Sequence, residues 1–237
     1  MDCKESSITQ TAKNFSSKCK LANIYCDRSV INLQMRNIYK MKKILILVLL
    51  VISYNGNAQD LKSFFNQADA FFSANVANGK VAYSKIHKDQ ATLNALLETA
   101  KSIKVSESDA QNYQAFWINA YNISVIKGII DNYPIKSPLD KAGFFDKTTY
   151  SLAGKNITLN DIEHKLLRGK FDDARFHFVL VCGAVGCPPL INKAYLPSTL
   201  NAQLETQTTK AINGSFIKVN TKKKRVEGSE ILKWYKT

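Results

Sequence analysis

The residue types best suited to chemistry are concentrated between Ile162 and Pro189. This stretch combines an acid, two imidazoles, two guanidinium groups and two thiols, namely Glu163, His164, Arg168, Arg175, His177, Cys182 and Cys187. A thiol beside an imidazole that a carboxylate or amide orients can act as a nucleophile, whereas arginines bind planar carboxylate and phosphate groups. The composition of this stretch therefore indicates either nucleophilic catalysis or the binding of an anion.

Glu163 and His164 lie on a predicted helix that begins after Thr158 and ends at Gly169. Thr158 and Asp161 have the spacing of a capping box, and Gly169 is typical of a left-handed C-cap. Helical spacing places Glu163 within an apolar arc. Because an unpaired buried carboxylate is strongly unfavourable, Glu163 should have a partner, either as a structural ion pair or as part of a site.

The basic groups lie in two neighbouring segments. His164 and Arg168 are expected together, one helical turn apart, on the flank opposite to Glu163. The apolar run from Arg175 to Cys182 predicts a strand that is buried on both faces, in which His177 shares a face with Arg175. Of the basic residues, Arg175 and His177 are then the expected partners for the buried acid.

Residues 41–58 have the pattern of a secretory signal peptide, with a basic start, a short apolar core and small residues before Gln59. Residues 1–40 are then interpreted as a non-native or disordered N-terminal extension. Residues 59–237 would form the exported domain, in the periplasm or outside the cell. The predicted partners include no nucleic acid, and no transmembrane segment is expected after cleavage of the signal.

Cys182 and Cys187 are the two cysteines of the predicted exported part, and they flank a glycine-rich loop. A disulfide is the simplest expectation in an oxidising compartment. The alternatives are a free nucleophile, a redox pair and a zinc site, although zinc needs three or four ligands and only His164 or His177 could complete the set. We therefore predict no metal and no cofactor.

A helix from about Ser108 to Asp131 is apolar nearly all round, so it is expected to be buried. Its two neighbouring amides, Asn119 and Asn122, must find hydrogen-bond partners in that environment. They could tie adjacent loops or face the same pocket as His177. The pocket is the favoured interpretation for Asn119, and the loops are favoured for Asn122.

The predicted fold class is α+β, a single domain in which several helices pack around a small, mainly antiparallel sheet. Further helices are expected over residues 60–76, from about residue 89 or 92 to residue 100, and over residues 198–211. Hairpins are expected over residues 148–157 and 216–226, and the second has the basic run Lys222–Arg225 at its tip. That run suits either a solvated turn or a contact for an anionic polymer.

Four motifs resemble the DUF547 family, a domain of unknown function. They are FWINAYN (Phe116–Asn122), SLAGKNITLNDIEHKLLR (Ser151–Arg168), DARFHFVLVCGAVGCPPL (Asp173–Leu190) and ILKWY (Ile231–Tyr235). The resemblance implies kinship of fold and a shared polar cluster, and it supplies no established activity. Because members of the family usually continue past the KWY motif, this chain either is short or lacks a final segment.

Two hypotheses for function follow. The first is a pocket that binds an anionic small molecule or peptide group, and its contacts would be Asn119, Arg168, Arg175 and Cys187. The alternative is a thiol- or histidine-dependent hydrolase or transferase, distantly similar to papain- or transglutaminase-like enzymes. Its catalytic groups would be Cys182, His177, Glu163 and His164. A redox role is disfavoured because the two cysteines lack the CxxC spacing.

Overall fold

The computed structural model describes residues 28–183, 187–214 and 216–228, with side chains described for residues 36–45 and from residue 60 onward. The chain divides into two compact units, residues 1–55 and residues 56–237. Residues 1–27 of the predicted N-terminal extension and the closing ILKWY motif lie outside the described residues.

Helix α1 runs from Arg28 to Asn75 and begins in the first unit. The sequence predicted a helix only from residue 60, but residues 28–59 contain no proline that would end a helix. Five of its apolar side chains in the first unit are between 48% and 69% exposed, namely Ile38, Tyr39, Met41, Ile44 and Leu45. Among the described residues we find no helix with the length and hydrophobicity that a bilayer crossing requires. Export by a signal peptide stays a prediction.

The second unit is mainly helical. After α1 it contains α2 (Tyr83–Lys88), α3 (Ala91–Ser102), α4 (Ala110–Asp131), α5 (Leu159–Asp161) and α6 (Leu200–Ile212). A π-helix covers Ile162–Arg168 directly after α5. Two 3-10 helices cover Pro138–Asp140 and Ala174–Phe178.

Helix α4 forms the centre of the second unit, since 16 of its 22 residues are buried. This confirms the prediction of a helix that is buried all round. Its N-cap is Asp109, whose side chain accepts a hydrogen bond from the Asn112 N–H, so the helix begins two residues after the predicted start at about Ser108. The aromatic side chains of α1 pack against it, with the ring centroids of Phe64 and Phe116 5.0 Å apart.

The strands form three separate antiparallel hairpins. They pair β1 (Val76–Ala77) with β2 (Lys80–Val81), β3 (Thr149–Leu152) with β4 (Lys155–Thr158), and β5 (Ile217–Asn220) with β6 (Arg225–Gly228). The α+β class and the two predicted hairpins are confirmed. The described strands do not join into one sheet, however, because each hairpin pairs only within itself.

The predicted buried strand from Arg175 to Cys182 is wrong. Ala174–Phe178 is a 3-10 helix, capped by Asp173, whose carboxylate accepts a hydrogen bond from the Arg175 N–H. The apolar run that follows is buried as predicted, but its backbone is satisfied from α4 instead of by neighbouring strands. Asn122 accepts from the Val181 N–H and donates to the Val179 carbonyl, both over 2.9 Å.

Candidate functional site

The π-helix carries Glu163, His164 and Arg168. It follows directly after α5. Thr158 caps α5 by accepting a hydrogen bond from the Asp161 N–H over 3.1 Å. The i→i+5 pattern of a π-helix widens the turn, and such turns are frequent at functional sites. No sequence signal predicted it, because π geometry is set by packing rather than by local residue preference. Glu163, His164 and Arg168 therefore lie on a π-helix instead of the predicted α-helix.

Gly169 ends the π-helix in a right-handed conformation, with φ of −71°, so the predicted left-handed C-cap is wrong. Glycine is required there for a different reason. A Cβ at this position would lie 2.6 Å from the carbonyl oxygen of His164. The end of the π-helix is therefore packed too closely for a side chain.

His164 and Arg168 contact each other, as predicted. The Nη1 of Arg168 lies 3.1 Å from the Nδ1 of His164. A guanidinium can only donate, so this bond makes Nδ1 the acceptor and leaves the proton of the neutral imidazole on Nε2. His164 is exposed and Arg168 is partly buried. The pair presents N–H donors from two residues at one place on the surface.

His177 lies on the 3-10 helix that follows and is partly buried. Burial, the largest cause, together with the neighbouring Arg168 and His164 lowers its pKa from the ordinary value of 6.5 to about 4. At neutral pH the His177 imidazole is uncharged.

Glu163 is only 6% exposed, which confirms that it points into the apolar layer. Arg175, one of its two expected partners, is instead bound to Asp173, with Nη2 and Oδ2 2.7 Å apart. Arg175 also donates to the Asn201 side chain over 2.8 Å. The role of Arg175 is therefore to fasten the 3-10 helix to α6. Its hydrogen bond to the Asp173 carboxylate raises the pKa of Arg175 above the ordinary value.

Asn119 and Asn122 each hold a segment of backbone against α4. Asn119 is fully buried, donates to the Tyr195 carbonyl over 2.7 Å and accepts from the Tyr195 N–H over 3.0 Å. The favoured expectation that Asn119 faces the pocket of His177 is not what these contacts show. Asn122 ties the segment before Cys182, as expected.

Cys182 and Cys187 form a disulfide, with their Cα atoms 6.1 Å apart, which confirms the simplest expectation for this pair. Gly183, inside the bridged loop, has φ of +74°, and a Cβ there would lie 2.8 Å from Cδ1 of Ile129. Gly183 is thus packed closely against α4. A bridged sulfur is not a thiolate, so the disulfide removes support from a cysteine nucleophile. The proposed catalytic roles stay untested predictions.

Comparison with known proteins agrees with the motifs. The family model described as "Protein of unknown function, DUF547" matches residues 105–212. Residues 105–212 match the DUF547 family. The π-helix, the 3-10 helix with His177 and both cysteines fall inside the matched residues, whereas the β5–β6 hairpin and the ILKWY motif lie beyond them. No curated protein and no solved structure matches the chain significantly.

A metal site needs several ligand side chains close together. In the described parts of the chain, no group of three or more histidine, cysteine, aspartate or glutamate side chains is placed to hold an ion. His164 and Arg168 thus contact each other, whereas Asn119 and Arg175 are held by structural contacts elsewhere.

Proposed function

We propose that His164, Arg168 and His177 form a binding site for a carboxylate or phosphate group of a small molecule or peptide. The observation that carries this proposal is the contact between Nη1 of Arg168 and Nδ1 of His164, which lie 3.1 Å apart. The lowered pKa of His177 supports it, since part of that shift comes from Arg168 and His164. The electrostatic potential that disfavours a proton on His177 is the potential that attracts an anion.

The donors at the site suit an oxyanion. A guanidinium carries five N–H donors in a planar fork that matches carboxylate and phosphate oxygens. The bond between Arg168 and His164 also fixes the tautomer of that imidazole, which leaves its Nε2–H as a further donor. Binding of a group that stays ionised should become stronger as the pH falls towards 4, because protonation of His177 adds a positive charge to the site.

Titration of the full chain with inorganic phosphate or acetate, followed by the histidine ring resonances in NMR spectra, tests the proposal. We expect the resonances of His164 and His177 to shift together and to saturate, whereas chloride at the same ionic strength should not reproduce the effect. Arg168→Gln should weaken phosphate binding about tenfold or more, since a hydrogen bond to a charged group contributes about 1.5–3 kcal/mol. Arg168→Lys should recover only part of the affinity, because lysine keeps the charge without the planar fork.

Arg36→Gln supplies a matched control, since it removes the same charge from an exposed position of α1 in the first unit. It should bind phosphate like the parent chain. Equal affinity in the parent and in a folded Arg168→Gln variant would contradict the proposal, as would an equal loss in Arg36→Gln. Thermal unfolding of each variant shows that the comparison is made on folded protein.

A further inference from the structure

The β5–β6 hairpin is strongly basic, and its tip is exposed to solvent. All five of its basic residues are exposed, namely Lys218, Lys222, Lys223, Lys224 and Arg225. Glu227 is the one acid of β5 and β6, and it lies 3.9 Å from Arg225. The three tip lysines lie in the turn between the strands, with Lys224 at φ of +48°. The hairpin therefore presents a dense positive charge at its far end.

The two faces of this hairpin differ in polarity. Val219 pairs with Val226, and the flanking pairs are Asn220 with Arg225 and Lys218 with Glu227. Because side chains alternate between faces along a strand, both valines point to one face and the polar pairs point to the other. Each valine is 65% exposed. The hairpin therefore combines an exposed apolar pair with the cations of its tip.

The base of the hairpin is fixed to the rest of the unit. Phe216 is buried with Phe178 and Ala211 in a small apolar cluster, and the rings of Phe178 and Phe216 lie edge to face at 6.2 Å. Ile217 is partly buried, while the rest of β5 and all of β6 are exposed. The anchored base holds the valine pair and the tip lysines away from the core.

We propose that the β5–β6 hairpin docks on the surface of an anionic lipid bilayer. The lysines and Arg225 would lie at the level of the lipid phosphates, with their aliphatic stems extended along the interface. The valine pair would enter the boundary between headgroups and acyl chains. A soluble polyanion would use the same cations but would leave the valines in water, and the hairpin has no aromatic side chain on which nucleic-acid bases could stack. The two-faced arrangement therefore favours lipid.

Sedimentation of the full chain with vesicles tests this proposal. The vesicles are pure phosphatidylcholine or equimolar phosphatidylcholine and phosphatidylglycerol. Because α1 also exposes apolar side chains, the quantity measured is the gain in binding that the anionic lipid produces. We expect a clear gain in the parent chain that falls as salt is added, since salt screens exposed charges over a Debye length of about 10 Å at 0.1 M.

Removal of the tip lysines should abolish that gain. The variant Lys222→Gln/Lys223→Gln/Lys224→Gln should lose ~100-fold in affinity for the anionic vesicles, since each cation near an anionic surface contributes about fivefold. The matched control Lys88→Gln/Lys104→Gln/Lys136→Gln removes the same charge from three other exposed positions. It should keep the gain, apart from a small loss that any reduction of net charge causes. A triple tip variant that binds like this control would overturn the proposal.

Replacement of the valine pair separates lipid from a soluble polyanion. Val219→Thr/Val226→Thr keeps the β-branched shape but removes the apolar face. It should weaken binding to anionic vesicles severalfold and leave binding to heparin, a soluble polyanion, unchanged. If the double variant binds the vesicles as the parent does and heparin releases both equally, the hairpin is a site for soluble polyanions and the lipid proposal is wrong.

Discussion

His177 is held neutral at physiological pH by two effects that act in the same direction. Burial disfavours the charged imidazolium, and the neighbouring Arg168 and His164 disfavour it further, so the pKa falls to about 4. A neutral imidazole can still donate one N–H to an anion and accept one hydrogen bond. At the scale of single residues, therefore, the site combines the permanent charge of Arg168 with a His177 imidazole that is neutral at physiological pH.

This arrangement predicts how the free energy of unfolding depends on pH. The pKa of His177 is lower in the folded chain than the ordinary 6.5 expected after unfolding, so the unfolded chain binds more protons between those values. Stability should be fully present above pH 6.5 and should fall as the pH is lowered towards 4. The slope from this single group is at most about 1.4 kcal/mol per pH unit.

Urea unfolding of the parent and of His177→Gln across this pH range measures the effect. The variant should lack the part of the slope that His177 contributes. His87→Gln, which removes an exposed imidazole stacked on Tyr133, controls for the loss of one imidazole as such. Identical pH dependence in the parent and in His177→Gln would show that His177 is not buried among positive charges.

At the scale of elements, α4 organises the site through its two asparagines. Each asparagine side chain offers one donor and one acceptor to a backbone segment, in the way that a neighbouring strand would. Asn119 holds the segment at Tyr195, and Asn122 holds the segment from Val179 to Val181. The second segment links the 3-10 helix of His177 to the disulfide loop. Helix α4 therefore fixes where the imidazole and the bridge lie.

Asn122→Ala should destabilise the second unit by about 2–4 kcal/mol. The substitution leaves the buried Val179 carbonyl and the Val181 N–H without their hydrogen bonds, and an unsatisfied buried group costs about 1–3 kcal/mol. Asn94→Ala, on the exposed face of α3, is the matched control and should change stability little. Chemical unfolding of both variants measures the difference, and an Asn122→Ala variant as stable as the control would contradict the assigned role.

Sequence patterns predicted the helices and hairpins that residues close together in the sequence determine. Helical periodicity indicated α3, α4 and α6, and turn residues indicated the hairpins β3–β4 and β5–β6. The apolar run from Phe178 to Val181 predicts a strand, because such a run is buried both in a central strand and in the irregular backbone that the structure shows. Its real backbone partner, Asn122, is more than fifty residues distant in sequence. The π-helix likewise has a cause that is not local.

The same distinction between local and non-local causes applies to the candidate site. Helical spacing placed His164 beside Arg168 and buried Glu163, and the cysteine pair indicated the bridge. The hydrogen-bond partners of Asn119 and Arg175 could not be predicted from the sequence. They belong to loops and helices that come near these residues only in the folded chain.

At the scale of the whole molecule, positive charge is the common feature. The formal net charge of the chain is +14, which favours the approach of anions from a distance. The short 3-10 helix links the two proposed contacts inside the second unit. It carries His177 at the polar cluster and, one residue later, Phe178 at the base of the basic hairpin. An anionic ligand and an anionic surface could therefore be contacted from neighbouring parts of the second unit.

The most direct test is the pKa of His177 in the full chain, measured by NMR titration of its ring. We expect about 4 in the parent, because the imidazole is buried beside positive charge. Arg168→Gln should raise this value, whereas Arg168→Lys should keep it low. A His177 that titrates near its ordinary pKa of 6.5 in the parent, and does so unchanged in Arg168→Gln, would contradict the shared site on which the proposed anion binding depends.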